Sequence, residues 1–546
     1  LYITEHSKAE VVILEDEKQL LKYKDSSSRC KTLQAIVTYA EKVSASLVEE
    51  FAKENIKVYH WDDFLTIGDD IPTTDVEERS NSVKPGHCST LIYTSGTTGP
   101  PKAVMISHDN VTWTTRNMVQ HYGPFNHEDR VISFLPLSHI AAQIIDIHIG
   151  LTIGCCTYFC QPDALKGTLT ITMREVRPTL VFAVPRVWEK IQEKMVQVGR
   201  SVTGLKKTIS TWAKGCGTAK NQAAQFGGDG SKPFGFGCAN AIVLSKVADV
   251  LGLDQARVCF TGAAPLAPDV IWYFASLDIP IYEVFGQSEC TGPHTVSCTS
   301  EWKVGTCGRP MYGTESQIVA ENGELCYRGR HIFMGYMYMD EQSADTIDSE
   351  GYLHSGDVAE FDDDTKTLAN GCLEDMLGKS GFMKITGRIK ELIITAGGEN
   401  IPPVLIEVEM KKEMIALSNC IVVGDKRKYL CMMVSLKCIP NKETGIPSDN
   451  LDADAIFVGE QIGSDARTMS EATECPKWAA YIDAGMKAAN KRNTSNAQQI
   501  QKWKMLPCDL SEAAGDLTPT LKLKRSVVVK KYTEFIDGMY GESLAY

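Results

Sequence analysis

The stretch Leu91 to Ser107, LIYTSGTTGPPKAVMIS, constrains this chain more than any other. A short apolar run, Leu91 to Tyr93, stops at small and hydroxylated residues, Gly99 and a proline pair ahead of Lys102, and a second β-rich run, Ala103 to Ile106, follows. That pattern predicts strand, loop, strand. Gly96 and Gly99 let backbone N–H groups approach an anion closely, the hydroxyls of Thr94, Ser95, Thr97 and Thr98 can donate to phosphate oxygens, and Lys102 adds positive charge. Such a loop suits polyphosphate, although a hairpin turn with a solvated lysine has the same local pattern. Spacing excludes a Walker-type loop, which needs four residues between its glycines and Lys-Ser/Thr opening a helix; here two residues separate Gly96 from Gly99.

Length and charge narrow the field. The 546 residues suffice for two or more domains and a large core, and 43% hydrophobic with 23% charged residues reads as soluble and globular. A net charge of -13 argues against a nucleic-acid partner, so any polyanion binding is local. The 18 cysteines are scattered without a Cys-x-x-Cys pair and read as reduced, mostly buried thiols of a cytosolic protein, with no structural zinc expected. His139 to Cys160 is the longest apolar stretch, but it carries Gln143, Asp146 and His148, so a core helix followed by a strand fits it better than a membrane span. The chain has no visible signal peptide and opens with Leu1 rather than Met, as a processed chain or a fragment would.

Taken in order, β-rich runs at Val11 to Leu14, Ala35 to Thr38 and Lys57 to His60 alternate with charged amphipathic stretches such as Glu41 to Lys53, the pattern of an α/β layer. Asp69 to His87 reads as a polar surface connection. A helix is predicted from about Ser107 to His121, strands at Arg130 to Leu135 and Thr179 to Val184, and a helix with Pro185 in its first turn. Gly215 to Gly237 is Gly-rich, polar and weakly patterned and is expected to be a long surface loop or a partly disordered insertion. Strand and helix alternate again from Arg257, and Ile279 to Val284 is a strand ending at Phe285-Gly286. Beyond about Gly305 shorter β-runs with Gly turns suggest a β-rich subdomain, and the last stretch, from about Lys390, reads as a separate α+β domain.

TSGTTGPPK, Thr94 to Lys102 with Pro100 and Pro101, resembles the phosphate-loop signature of the adenylate-forming superfamily, and five further patches follow in the order that superfamily requires. LPLSHIAAQ, Leu135 to Gln143, implies His139 near the α-phosphate or substrate carboxylate; the residues alone read more readily as a core or helix-cap histidine. TGAAPL, Thr261 to Leu266, implies an adenine lying against Gly262, Ala263 and Ala264. YEVFGQSECTGPHT, Tyr282 to Thr295, implies nucleotide or acyl-adenylate contacts from Glu283, Val284, Phe285, Gly286, Gln287 and Ser288, with Glu289 on the Mg²⁺ of ATP, a hard cation suited to a carboxylate. Many relatives have Tyr-Gly-x-Thr-Glu here, so Phe285 removes a phenol. YLHSGDV implies Asp357 on the ribose hydroxyls, and TGRIKELIITAGGENIP implies Arg388 on ribose or phosphate, Lys390 as the hinge and Gly397 to Glu399 beside the pantetheine passage. LTPTLKLKR, on its own a basic surface cluster, implies Lys522 as the lysine brought to the carboxylate and α-phosphate, with Leu521 where relatives usually have Gly.

VPRVWEKI, GRHIFMGYM, GPHT, ITAGGENIPP and the TPTLKLKR tail together look like the bubblegum family of long-chain acyl-CoA synthetases. The resemblance implies an α/β adenylate-forming fold with a large domain, 1–389, that includes a β-rich subdomain from about 305, and a small mobile domain, 390–546. Family members carry further N-terminal residues ahead of the equivalent of Leu1, so the large domain is read as N-terminally truncated, and 362–380 is longer than the hairpin expected there. The implied activity is a fatty acid–CoA ligase using ATP, Mg²⁺ and coenzyme A through an acyl-adenylate. Two other readings fit the same motifs: an adenylating enzyme with a different acceptor, and a truncated homologue that binds acyl or nucleotide groups without turnover. The expected setting is cytoplasmic with peripheral contact to endoplasmic-reticulum membrane, since long-chain substrates partition into bilayers, and without an obligate protein partner.

Overall fold

A computed structural model describes residues 1–24, 29–94, 100–362, 381–396, 399–441, 444–493, 495–518 and 521–541. The chain divides into two compact units, Leu1–His108 and Asp109–Tyr546. In the first, the three predicted strands form at Val11–Leu14, Ala35–Thr38 and Lys57–His60 and pair in parallel, with the middle strand buried throughout. Parallel strands require crossovers, and the Ala45–Lys53 helix supplies one, burying Leu47 and Phe51. Cys88–Thr94 and Lys102–Ser107 form an antiparallel pair. Asp69 to His87 is not a plain connection: it contains a helix, Thr73–Ser82, that buries no residue. Its lack of an apolar stripe is why periodicity did not reveal it.

The second unit is built on a seven-stranded sheet in the order Arg309–Pro310, Gly292–Val296, Ile281–Gln287, Val258–Thr261, Leu180–Ala183, Arg130–Ser133, Cys156–Phe159. The last five pair in parallel. Leu180–Ala183 and Val258–Thr261 are buried at every position, so they read as unbroken apolar runs. Pro185–Arg200 starts with Pro at its first turn, where no intrahelical N–H partner is lost, and packs Trp188 against Phe274. His139 to Cys160 folds as short helical segments and then the strand Cys156–Phe159; no described helix is long and apolar enough to cross a membrane. The β-rich part beyond Gly305 is a four-stranded antiparallel sheet, Glu315–Ile318, Glu324–Arg328, Leu353–Phe361 and Met383–Arg388. Residues 363–380 of the expected long segment lie outside the described residues.

The C-terminal α+β part packs the Pro403–Glu413 and Pro476–Asn490 helices on the sheet Leu417–Val423, Leu430–Leu436, Ile500–Met505, around a core that includes Met410, Ile421, Val434 and Trp478. The described cysteines are all free.

Gly215 to Gly237 overturns its expectation. Most of it lies in helical structure, first in a 20-residue helix, Gly204–Ala223. Its glycines serve close packing: a Cβ at Gly217 would lie 2.2 Å from the Ser276 carbonyl oxygen, so the helix rests directly on the end of Pro268–Ser276. Gly217→Ala should therefore destabilise the fold by about 1–3 kcal/mol of overpacking, against about 1 kcal/mol gained in helix propensity. Gly215→Ala, where nothing lies within 4 Å, should be neutral or stabilising. Thermal midpoints moving in the same direction for both variants would contradict this packing account.

Candidate active site

The four-stranded sheet builds the first half of the site. Asp357 and Arg388 are cross-strand partners, so their side chains leave the same face, and Arg388 Nε donates to Asp357 Oδ1 at 3.0 Å. Asp357 is buried; burial raises its carboxyl above the ordinary range, and Arg388 and Lys522 offset only part of that rise. The strand ends in the turn Ile389–Glu391, where Lys390 is exposed.

Lys522 comes from the C-terminal part. Its backbone N–H donates to Thr518 Oγ1 at 3.0 Å, its carbonyl accepts from Thr518 N at 2.8 Å, and an antiparallel bridge joins Leu517 to Leu523. The turn is tight enough to hold Leu521 at φ +60°, a left-handed conformation that costs a leucine about 1–2 kcal/mol and a glycine little. Arg525 anchors the far side through a two-pronged ion pair with the buried Glu407, 2.8 and 2.7 Å, and is no part of a solvated basic face. Burial and Arg388 lower the Lys522 ammonium to about 8, opposed by Asp357 and Glu391.

His139 proves to be both a helix cap and a neighbour of this lysine. It caps Ile140–Ala142, with Nδ1 accepting from Ala141 N at 3.3 Å, which leaves Nε2 as the N–H. Burial and the charge of Lys522 depress its imidazole to about 4, so it is neutral near pH 7.

Glu289 lies in the turn Ser288–Cys290 that follows the Ile281–Gln287 strand, and Oε1 accepts from Tyr336 Oη at 2.8 Å. Among the described residues no hydrogen bond occupies its other oxygen. Gln287 Nε2 donates to Tyr327 Oη at 2.8 Å, and Phe285 sits edge-on to the same ring. A Cβ at Gly286 would lie 1.7 Å from the Gly292 carbonyl oxygen, at the bulge where the two strands shift register. Gly262 packs on Val284, Ala263 is left-handed at φ +74° and Ala264 is exposed, so the backbone of this turn is open on one side. Glu283 ends the run: its carboxyl is raised to about 8 by burial, and among the described residues Oε2 is buried with no hydrogen-bond partner.

In the first unit, Thr94 and Lys102 face each other across the hairpin, Pro100 is exposed and the Pro101 carbonyl accepts from Tyr2 Oη at 3.1 Å. Ser95, Gly96, Thr97, Thr98 and Gly99 lie outside the described residues, as do Gly397 and Gly398; Glu399 N donates to Thr395 Oγ1 at 3.4 Å. The structure therefore brings together His139, Asp357, Arg388 and Lys522. Motif reading missed Tyr336, Tyr327 and Glu391. The first lies inside GRHIFMGYM, which served only as a marker of the branch.

A charged seam joins the Pro185–Arg200 helix to the C-terminal part that carries Lys522. Lys437 Nζ lies 2.7 Å from Glu193 and 3.0 Å from Asp454, Arg200 reaches Asp454 at 3.0 Å, and Arg186 braces Glu189 and Glu193 from its own helix. Lys437 and Asp454 are buried; burial would raise the Asp454 carboxyl, but Lys437 and Arg200 hold it below the usual range.

Residues 1–337 match the family of AMP-binding enzymes. Over 99% of its length the chain is 43% identical to the long-chain-fatty-acid–CoA ligase ACSBG2 of Xenopus laevis, 71% of which it covers. It is 40% identical to ACSBG2 of Homo sapiens, covering 78% of it, and 38% identical to ACSBG1 of Rattus norvegicus, covering 73%, in both cases over 99% of this chain. Among solved structures, the adenylation domain of a carboxylate reductase from Mycobacterium chelonae matches with a TM-score of 0.63 at 18% identity, over 99% of this chain and 74% of that one. An anthranilate CoA ligase in complex with anthranoyl-AMP matches at 0.62 and 15%, over 98% and 80%. The fold is thus that of the adenylate-forming enzymes. The chain belongs to the AMP-binding enzyme family and, within it, to the bubblegum branch of long-chain-fatty-acid–CoA ligases.

An ammonium that titrates near 8 gives a pH dependence with a definite sign. Lys522 is charged below that value and neutral above it. If its charge is required, kcat/KM for adenylation, which reports the free enzyme, should fall as pH rises through about 8. In Lys522→Arg the guanidinium stays charged, so the alkaline limb should disappear. A limb unchanged in that variant would assign the titration to another group.

Proposed function

We propose that this chain is an ATP-dependent ligase joining long-chain fatty acids to coenzyme A through an acyl-adenylate, with AMP and diphosphate as the other products. The observation that carries the reading is that Lys522 lies within reach of the charges of Asp357 and Arg388, which pair directly, and of His139, on a chain whose relatives are named long-chain-fatty-acid–CoA ligases.

A carboxylate is a poor acyl donor because its oxygen is a bad leaving group. The fatty-acid carboxylate therefore attacks the α-phosphate of ATP, forming the acyl–phosphate bond while the bond to diphosphate breaks. Lys522 supplies positive charge where negative charge grows, and neutral His139, with Nε2 carrying its proton, donates a hydrogen bond without neutralising the carboxylate. Such preorganised donors are the main resource in phosphoryl transfer, where the protein does little covalent work. Asp357, steadied by Arg388, accepts from the ribose hydroxyls. The open turn at Gly262, Ala263 and Ala264 takes the flat base, and the unpartnered Glu283 oxygen fits its amino group. Thr94 to Lys102 takes the β- and γ-phosphates. Glu289 is the residue suited to hold Mg²⁺ with the nucleotide, which when bound neutralises phosphate charge. CoA thiolate then displaces AMP from the acyl carbon, with residues 390–546 turning about Lys390 between the two steps and Gly397 to Glu399 bordering the thiol's path. Peripheral contact with endoplasmic-reticulum membrane suits a substrate that partitions into lipid.

Fatty-acid-dependent exchange of diphosphate into ATP tests the reading. Palmitate and a very-long-chain acid should support exchange and acetate should not. Exchange with acetate alone would remove the long-chain assignment, and no exchange by a folded, ATP-binding chain would make it a binding protein.

A further inference from the structure

Away from the reacting groups, three side chains from two strands converge in a way the ligase reading does not use. Cys326 in Glu324–Arg328 and His354 in Leu353–Phe361 are direct cross-strand partners, and the pairing shifts register between Glu324 and Cys326. A register shift of this kind re-aims a side chain, and here Glu324 and Cys326 both reach His354. His354 Nδ1 stands 3.1 Å from Glu324 Oε2 and 3.4 Å from Cys326 Sγ, and the three donor atoms all lie within 4.8 Å of one another.

Hydrogen bonding leaves one member of this trio unserved, even with the imidazole protonated between Glu324 and Asp348. If Nδ1 carries its proton and gives it to Glu324, the thiol is left without an acceptor at that nitrogen; if the thiol donates to Nδ1, the imidazole lone pair faces a carboxylate. A cation satisfies all three lone pairs at once. Tetrahedral zinc, bonded to N and O at about 2.0–2.2 Å and to S at about 2.3 Å, sets neighbouring ligand atoms roughly 3.3–3.6 Å apart. The two separations from His354 Nδ1, 3.1 and 3.4 Å, differ from that by a few tenths of an ångström, and the third lies within 4.8 Å.

The surroundings are those of a metal centre's outer shell. His354 Nε2 faces Asp348 Oδ2 at 3.5 Å, a carboxylate placed to hold the ring proton on Nε2 once a cation occupies Nδ1. Asp348 is itself fixed, its Oδ1 accepting from Glu350 N and Tyr352 N at 2.9 Å each. Glu324 Oε1 accepts from Gly356 N at 2.9 Å, which leaves Oε2 for the ion. Cys326 and Glu324 are buried, whereas the His354 side chain is 36% exposed and offers a route of entry.

We propose that Glu324, Cys326 and His354 bind a zinc-class divalent cation, with one coordination position left for water. The sulfur and imidazole donors select against Mg²⁺ and Ca²⁺, so the site is distinct in chemistry from Glu289. The ion ties Glu324–Arg328 to the strand that presents Asp357 three residues beyond His354.

The test uses the purified full chain, stripped with a chelator and titrated with Co²⁺, then Zn²⁺ in competition. A single equivalent of Co²⁺ should give tetrahedral visible absorption and a thiolate-to-cobalt charge-transfer band in the near ultraviolet. Cys326→Ser, which keeps size and hydrogen bonding but removes the thiolate, should abolish the charge-transfer band, while Cys88→Ser, at an exposed cysteine, should keep it. Asp348→Asn, which leaves the three ligands in place and keeps an oxygen to accept from Glu350 N and Tyr352 N, should weaken Zn²⁺ binding roughly 10–100-fold. The proposal is overturned by absence of the band at one equivalent, by its persistence in Cys326→Ser, or by Zn²⁺ affinity unchanged in Asp348→Asn.

Discussion

Keeping a lysine ammonium partly out of water is costly unless anions lie close, and the placement of Lys522 answers to that constraint. Asp357 and Glu391 favour its charged form while burial and Arg388 oppose it, and the balance leaves the amine near 8 rather than in its ordinary range. The same arrangement depresses His139 and helps Asp357 stay ionised. Each partner is delivered by a different element. The sheet pairing of Leu353–Phe361 with Met383–Arg388 aligns Asp357 with Arg388, the turn around a left-handed Leu521 points Lys522, and a histidine cap supplies the neutral donor.

The lysine-bearing part meets the Pro185–Arg200 helix through ion pairs. The seam of Glu193, Lys437, Asp454 and Arg200 is a set of partly buried ion pairs. Such pairs contribute little net stability, yet removing one partner strands the other at a cost of about 3–5 kcal/mol. An interface of this kind is specific without being adhesive, which suits a part proposed to turn between two half-reactions.

Much of the architecture was legible because burial leaves a periodic trace. The strands of the first unit, the helix begun by Pro185 and the change to a β-rich sheet beyond Gly305 all follow from apolar patterning and turn residues. The exposed Thr73–Ser82 helix has no apolar face to announce it. Gly215 and Gly217 read as loop residues because glycine's usual signal is flexibility, whereas Gly217 is there to let the Ser276 backbone approach. At the site, the motif residues were legible one by one, but their partners were not. Tyr336 on Glu289, Glu407 under Arg525 and Glu391 beside Lys522 come from distant segments, and only the folded chain joins them. The Glu324, Cys326 and His354 cluster escaped for the same reason: Cys326 and His354 are 28 residues apart and match no sequence spacing of metal ligands.

The central claim is that Lys522 serves the first half-reaction and not the second. Single-turnover rates of both steps in Lys522→Ala test it most directly, using ATP with a long-chain acid for adenylation and supplied acyl-AMP with CoA for thioester formation. The account predicts a loss of about 3 kcal/mol or more in adenylation, on the order of a hundredfold in rate, with thioester formation changed far less. Equal losses in both steps would contradict it and reduce Lys522 to a structural residue.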